Sequence, residues 1–199
     1  FGDKTVKEVC EINNVDCQTF LVVVNFMAEG FSRMDGSADD ISIPALVDYL
    51  RQAHIYFLDY CLPAIRRKLI EAIDCSQDDV SFLILKFFDG YMREVRKHME
   101  YEEKTVFKYV DTLIHGNAPK NYQISTFSKH HDQVGERLTE LKNIIIKYCP
   151  AKANTNVLNA ALFDIYACEE GLESHCKVED YLFVPAILKL ERRMRENEK

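Results

Sequence analysis

Apolar residues recur along most of this chain at steps of three and four, the period of one face of an α-helix. Four stripes follow that step. The first holds Val47, Leu50, His54, Phe57, Cys61 and Ile65. The second holds Ile84, Phe88, Tyr91, Val95, His98, Glu102, Val106, Tyr109 and Leu113. The third runs through Ile124, Phe127, His131, Val134, Leu138, Leu141, Ile145 and Tyr148. The fourth runs through Leu158, Leu162, Ile165, Cys168, Leu172, His175, Glu179, Leu182 and Ala186. No alternation of apolar and polar residues lasts long enough to make a strand. The pattern predicts an all-α chain whose residues 41–199 form an up-down four-helix bundle. Residues 1–35 read as a small N-terminal module of two short helices. Thr5-Val-Lys-Glu8 has the form of a capping box there, residues 15–27 are strongly apolar, and residues 30–40 read as a linker. Turns are expected at Cys75-Ser-Gln-Asp78, at Gly116-Asn-Ala-Pro119 and from Cys149-Pro150 onward.

Each stripe carries a single histidine, and two also carry a glutamate four residues later: His98-Met-Glu-Tyr-Glu102 and His175-Cys-Lys-Val-Glu179. At that spacing both side chains leave the same helix face, the one expected to be buried. One such histidine alone is more often a hydrogen-bonded core residue. An exposed His–Glu pair at this spacing contributes only about 0.2–0.5 kcal/mol. Four histidines, one per stripe and two with a Glu at the same offset, are hard to reach independently. Buried carboxylates need a compensating charge, and a metal ion beside imidazoles supplies it. The candidate ligands are therefore His54, His98, Glu102, His131, His175 and Glu179. From a turn near Ser76, His54 lies 22 residues back and His98 lies 22 forward, which places them at one height in an up-down pair. From Ala118, His98 is 20 residues back but His131 only 13 forward. That mismatch of about 10 Å must be absorbed by a long loop or a late helix start.

Four imidazoles and two carboxylates exceed what one ion takes, so two ions bridged by both carboxylates share the set more naturally. With a bridging oxo or hydroxo group, each ion keeps one open position for a small molecule. Mixed imidazole and carboxylate ligation suits iron, with manganese or zinc as alternatives. Tyr91 and Tyr109 flank the proposed site by helical spacing. They are candidate hydrogen-bond donors to a bound oxygen species, although plain core roles are commoner. Glu103 is expected to point away from the site into solvent, and His115 beside Gly116 reads as a C-terminal capping residue.

The composition narrows the class. Apolar residues make up 47% and charged residues 29%, as in an ordinary soluble globular protein, and only seven Gly and five Pro suit long helices. The net charge of -7 does not suit nucleic-acid binding, and Arg192-Arg193-Met-Arg195 reads as a charged helix end. Seven scattered cysteines without a C-x-x-C argue against a disulfide framework and a zinc ribbon and favour a reducing cytoplasm. No apolar run reaches membrane-span length, so no membrane partner is expected. There is no phosphate-binding Gly loop and no independent catalytic constellation.

The two His/Glu segments read further as His98-Met-Glu-Tyr-Glu102-Glu103-Lys-Thr-Val-Phe107 and His175-Cys-Lys-Val-Glu179-Asp-Tyr-Leu-Phe-Val-Pro185, and the third stripe holds His131-Asp132-Gln-Val-Gly135. With these motifs the chain resembles the hemerythrin-like (HHE cation-binding) family over about residues 43–190. Within it the chain is most similar to bacterial di-iron proteins implicated in iron–sulfur cluster repair. The resemblance implies a non-haem di-iron protein that meets O₂ or NO in oxidative or nitrosative stress. It further implies a protein partner carrying iron–sulfur clusters, and space beside the metals at Gly135. Gas or redox sensing, or a purely structural metal, are the other uses it leaves open. Two features depart from the repair group. Its N-terminal module usually carries a vicinal Cys-Cys, whereas here only Cys17 lies nearby. The further histidine found in the family between the first two helices is missing from residues 71–80.

Overall fold

The computed structural model describes residues 2–29, 41–73, 79–117, 119, 122–129, 134–148 and 153–197. The expected linker at 30–40, the turns at 75–78 and 149–150, and His131 fall outside them. The elements are α1 (Val6–Ile12), α2 (Cys17–Glu29), α3 (Ile43–Ile55), α4 (Leu62–Ala72), α5 (Asp79–Tyr101), α6 (Phe107–Ile114), α7 (Val134–Lys147), α8 (Thr155–Val178) and α9 (Val184–Asn197). Among the described residues there is no strand, and no helix is long and apolar enough to cross a membrane.

Local chemistry explains the helix ends. Thr5 and Glu8 form the reciprocal capping box at α1, and Asp16 Oδ1 accepts from the Thr19 N–H at 2.7 Å near the start of α2. Gly116, at φ +81°, closes α6. Its N–H donates to the Leu113 carbonyl, and the Asn117 N–H reaches back to the Thr112 carbonyl, the two bonds of a Schellman motif. His115, the capping residue, also places Nδ1 2.8 Å from the Asp111 carbonyl oxygen.

Among the described residues, three segments of the long stripes wind as π turns. Tyr56–Cys61 joins α3 to α4, Glu102–Val106 joins α5 to α6, and Glu179–Phe183 joins α8 to α9, each as a π-helical turn. A π turn holds an extra residue and rotates everything after it to a new register. The burial pattern shows the rotation. Leu62 is fully buried where the expected stripe has Cys61, and Ile187 is fully buried where the stripe has Ala186. Phe107 and Val110 join Val106 and Tyr109 in the core after the second turn. The third stripe also differs. Ile124–Lys129 is a short 3₁₀ segment rather than the start of a long helix, with Ile124 and Phe127 buried at the i, i+3 spacing that such a helix eclipses. Tyr148, at the other end of that stripe, is exposed.

The described residues pack as two compact units. One holds α1, α2, most of α3, α6, the 3₁₀ segment and α9. Its core is built on Phe26, Leu50, Phe107, Phe127, Phe183 and Ile187. The Ser42 N–H donates to Thr19 Oγ1 at 2.9 Å, which ties the entry of α3 to α2. Buried Glu191 accepts the Tyr109 hydroxyl at 2.5 Å and the Ile124 N–H at 3.0 Å. Glu191→Ala strands both donors, and a loss of about 2–4 kcal/mol in urea unfolding is expected. The other unit holds α4, α5, α7 and most of α8. Its core is built on Phe57, Leu62, Phe88, Tyr91, Leu138 and Ile165.

Candidate metal centre

The site begins with His54, near the end of α3. Its imidazole lies between two carboxylates: Nε2 is 2.8 Å from Glu102 Oε2 and Nδ1 is 3.0 Å from Glu103 Oε1. A neutral imidazole has one N–H, so it satisfies one carboxylate and turns a lone pair toward the other. The second contact needs a proton or a metal cation. Glu103 is therefore not directed away into solvent as the helical spacing suggests. Neighbouring helix positions normally diverge by about 100°. The wide turn that starts at Glu102 lets both neighbours reach one ring.

Glu102 is fully buried and uses both oxygens. While Oε2 faces His54, Oε1 lies 2.7 Å from His98 Nε2. Burial alone would push its carboxyl group up. The hydrogen bonds and charge of His54 and His98 outweigh burial and hold it at about 2. Its carboxylate thus presents one oxygen to each of two imidazoles. In α8 and the π turn after it, buried His175 Nε2 lies 3.4 Å from Oε1 of fully buried Glu179. Tyr49 is a neighbour that the stripes did not single out. Burial and the charge of Glu179 push its phenol up.

The ligand atoms that His54, Glu102, His175 and Glu179 offer all lie within 4.8 Å of one another. Two donors each about 2.1 Å from a common ion stand about 3.0 Å apart when adjacent and about 4.2 Å apart when opposite. The His–Glu separations of 2.7, 2.8 and 3.4 Å match adjacent positions. Two imidazoles and two carboxylates, nearly free of solvent, form a donor set that suits a divalent or trivalent cation. His98 meets the group through the second oxygen of Glu102. Gly135 lies in α7, with its surroundings outside the description. Tyr91 is buried in the core and stacks on Phe88 with ring centroids 6.3 Å apart. The Tyr109 hydroxyl is committed to Glu191.

An all-α fold that gathers buried imidazoles and carboxylates in this way defines a cation-binding helical protein. The family model described as Hemerythrin HHE cation binding domain matches residues 45–187, more than half of the chain. The chain belongs to the hemerythrin HHE cation-binding family. No curated protein matches it.

Proposed function

We propose that this protein holds a pair of iron ions on His54, His98, Glu102, His131, His175 and Glu179 and uses them to bind or react with O₂ or NO. The observation that carries this reading is the buried group of four donors within 4.8 Å, together with a carboxylate whose two oxygens face two different imidazoles. A carboxylate in that posture is suited to bridge two cations. When bound, iron supplies one-electron redox chemistry and open coordination positions for a diatomic molecule. The chain supplies the rest. Glu102 and Glu179 would neutralise the positive charge, and Glu103, 3.0 Å from His54 Nδ1, would accept its N–H and keep Nε2 available as a ligand. Burial of His54, Glu102, His175 and Glu179 limits access of water. The physiological use is the response to oxidative or nitrosative stress, in iron–sulfur cluster repair with a cluster-carrying protein as partner. The two short helices Val6–Ile12 and Cys17–Glu29 that precede the site in the chain support that use.

The test is to mix the reduced, iron-loaded protein with O₂ and with NO and record optical spectra. Each gas is expected to produce new near-ultraviolet or visible absorption. Spectra silent to both gases would overturn the reading. Glu103→Gln probes how the site is held. Loss of its charge weakens the grip on the His54 ring, and metal affinity is expected to fall about 10–100-fold. Competition with a chromophoric chelator measures that change.

A further inference from the structure

Cys61 and Cys168 lie outside the metal cluster, and the contacts around them set their register. The ring of Phe57 is 3.3 Å from the place a Cβ would occupy on Gly171. Further along, Lys68 Nζ reaches Asp164 Oδ2 at 2.5 Å, and the Asn154 N–H donates to the Ala72 carbonyl at 2.8 Å. Numbers rise along one partner as they fall along the other, so the two run antiparallel. Cys61, four residues after Phe57, faces Cys168, three residues before Gly171. Gly171 lacks the side chain that would hold the helices apart one turn away. Both cysteines belong to the same core, with Cys168 buried and Cys61 half-buried, and Tyr56 and Tyr60 nearby in the chain are exposed. The two thiols hydrogen-bond to each other, and the Tyr56 hydroxyl also donates to Cys61.

We infer that Cys61 and Cys168 form a redox-active dithiol that a hydroperoxide converts to an intramolecular disulfide. The two groups differ in a way that decides which attacks first. The hydrogen bond from Cys168, helped by Tyr56, pulls the Cys61 thiol down against burial. The same hydrogen bond, together with burial, pushes the Cys168 thiol up. Cys61, the more ionised and more accessible thiol, is the attacking group. Its thiolate attacks one oxygen of hydrogen peroxide: an S–O bond forms, the O–O bond breaks and hydroxide leaves. Cys168 then attacks the sulfenic sulfur. The S–S bond forms, the S–O bond breaks, and the hydroxyl leaves as water with the Cys168 proton. Two thiols and one peroxide give one disulfide and two waters. The sulfurs lose the two electrons that the peroxide gains. This chemistry needs no ion at the His/Glu cluster, so it stands or falls separately from the metal reading.

The test treats the purified full-length protein with hydrogen peroxide, alkylates the remaining thiols and maps peptides without reduction. A Cys61–Cys168 cross-linked peptide is expected. Cys168→Ser, or Cys168→Ala if serine does not fold, is expected to stop at a Cys61 sulfenic acid that dimedone traps. Cys61→Ser is expected to slow oxidation of Cys168 at least ~10-fold. Wild-type protein in which Cys61 over-oxidises or pairs with another cysteine while Cys168 stays a thiol would overturn the inference. So would equal oxidation rates of Cys168 in wild type and Cys61→Ser.

Discussion

Replacing Glu102 with alanine is expected to weaken metal binding at least 100-fold, about 2.7 kcal/mol. The size follows from where the carboxylate sits. It is fully buried, and its two oxygens lie 2.8 and 2.7 Å from His54 and His98. Removing it takes away a negative charge and a group that meets both rings. Glu102→Gln separates charge from shape: the amide keeps the volume, but binding is expected to fall nearly as far. Stability gives a second readout. Loaded wild type is expected to lose far more stability from the substitution than chelated wild type. Without a cation, Glu102 still pairs with His54 and His98, so its removal costs the chelated protein those contacts alone. Metal content by mass spectrometry and thermal unfolding with and without chelator measure both effects. Retention of all bound metal in Glu102→Ala would exclude this residue as a ligand.

Removing the metal from wild-type protein is the second large effect. A ligand that binds only the folded state at about 1,000 times its Kd stabilises by about 4 kcal/mol. For a chain of this size each kcal/mol moves Tm by about 2–4 °C, so chelation is expected to lower Tm by about 8–16 °C. Re-addition of ferrous iron is expected to restore it. The sign is set by electrostatics: Glu102 and Glu179 are both fully buried, and a cation beside them offsets the cost of burying their charge. An unchanged Tm after complete removal would show that the cluster contributes nothing to folding.

Much of the arrangement was legible from spacing alone. Of the six residues singled out by the one-histidine-per-stripe pattern and the two His/Glu pairs, the structure brings His54, Glu102, His175 and Glu179 within 4.8 Å and sets His98 against Glu102, while His131 lies outside the described residues; side chains four apart share a face wherever the helix is regular. The capping box at Thr5 was equally plain. What spacing could not show was the change of register. No residue type marks a π turn, and three of them sit beside His54, at Glu102 and at Glu179. Steps of three and four carried past those turns name Cys61 and Ala186 where Leu62 and Ile187 fill the core. The same irregularity hid Glu103, which a regular helix would aim into solvent. At the third stripe the weak joint before His131 coincides with the 3₁₀ segment Ile124–Lys129, a tighter winding that the apolar pattern reads equally well as α. The pairing of Cys61 with Cys168 was hidden for another reason: it depends on how two helices face each other, which one stripe at a time does not contain.

The most direct measurement is elemental analysis of protein purified from iron-replete cells, paired with its absorption spectrum. About two iron ions per chain are expected, since the mixed imidazole and carboxylate donors suit iron and exceed what one ion takes. The air-exposed protein is expected to absorb in the near ultraviolet. Protein that carries stoichiometric zinc, or no metal at all, and stays colourless after reconstitution with iron would contradict a di-iron centre on these side chains.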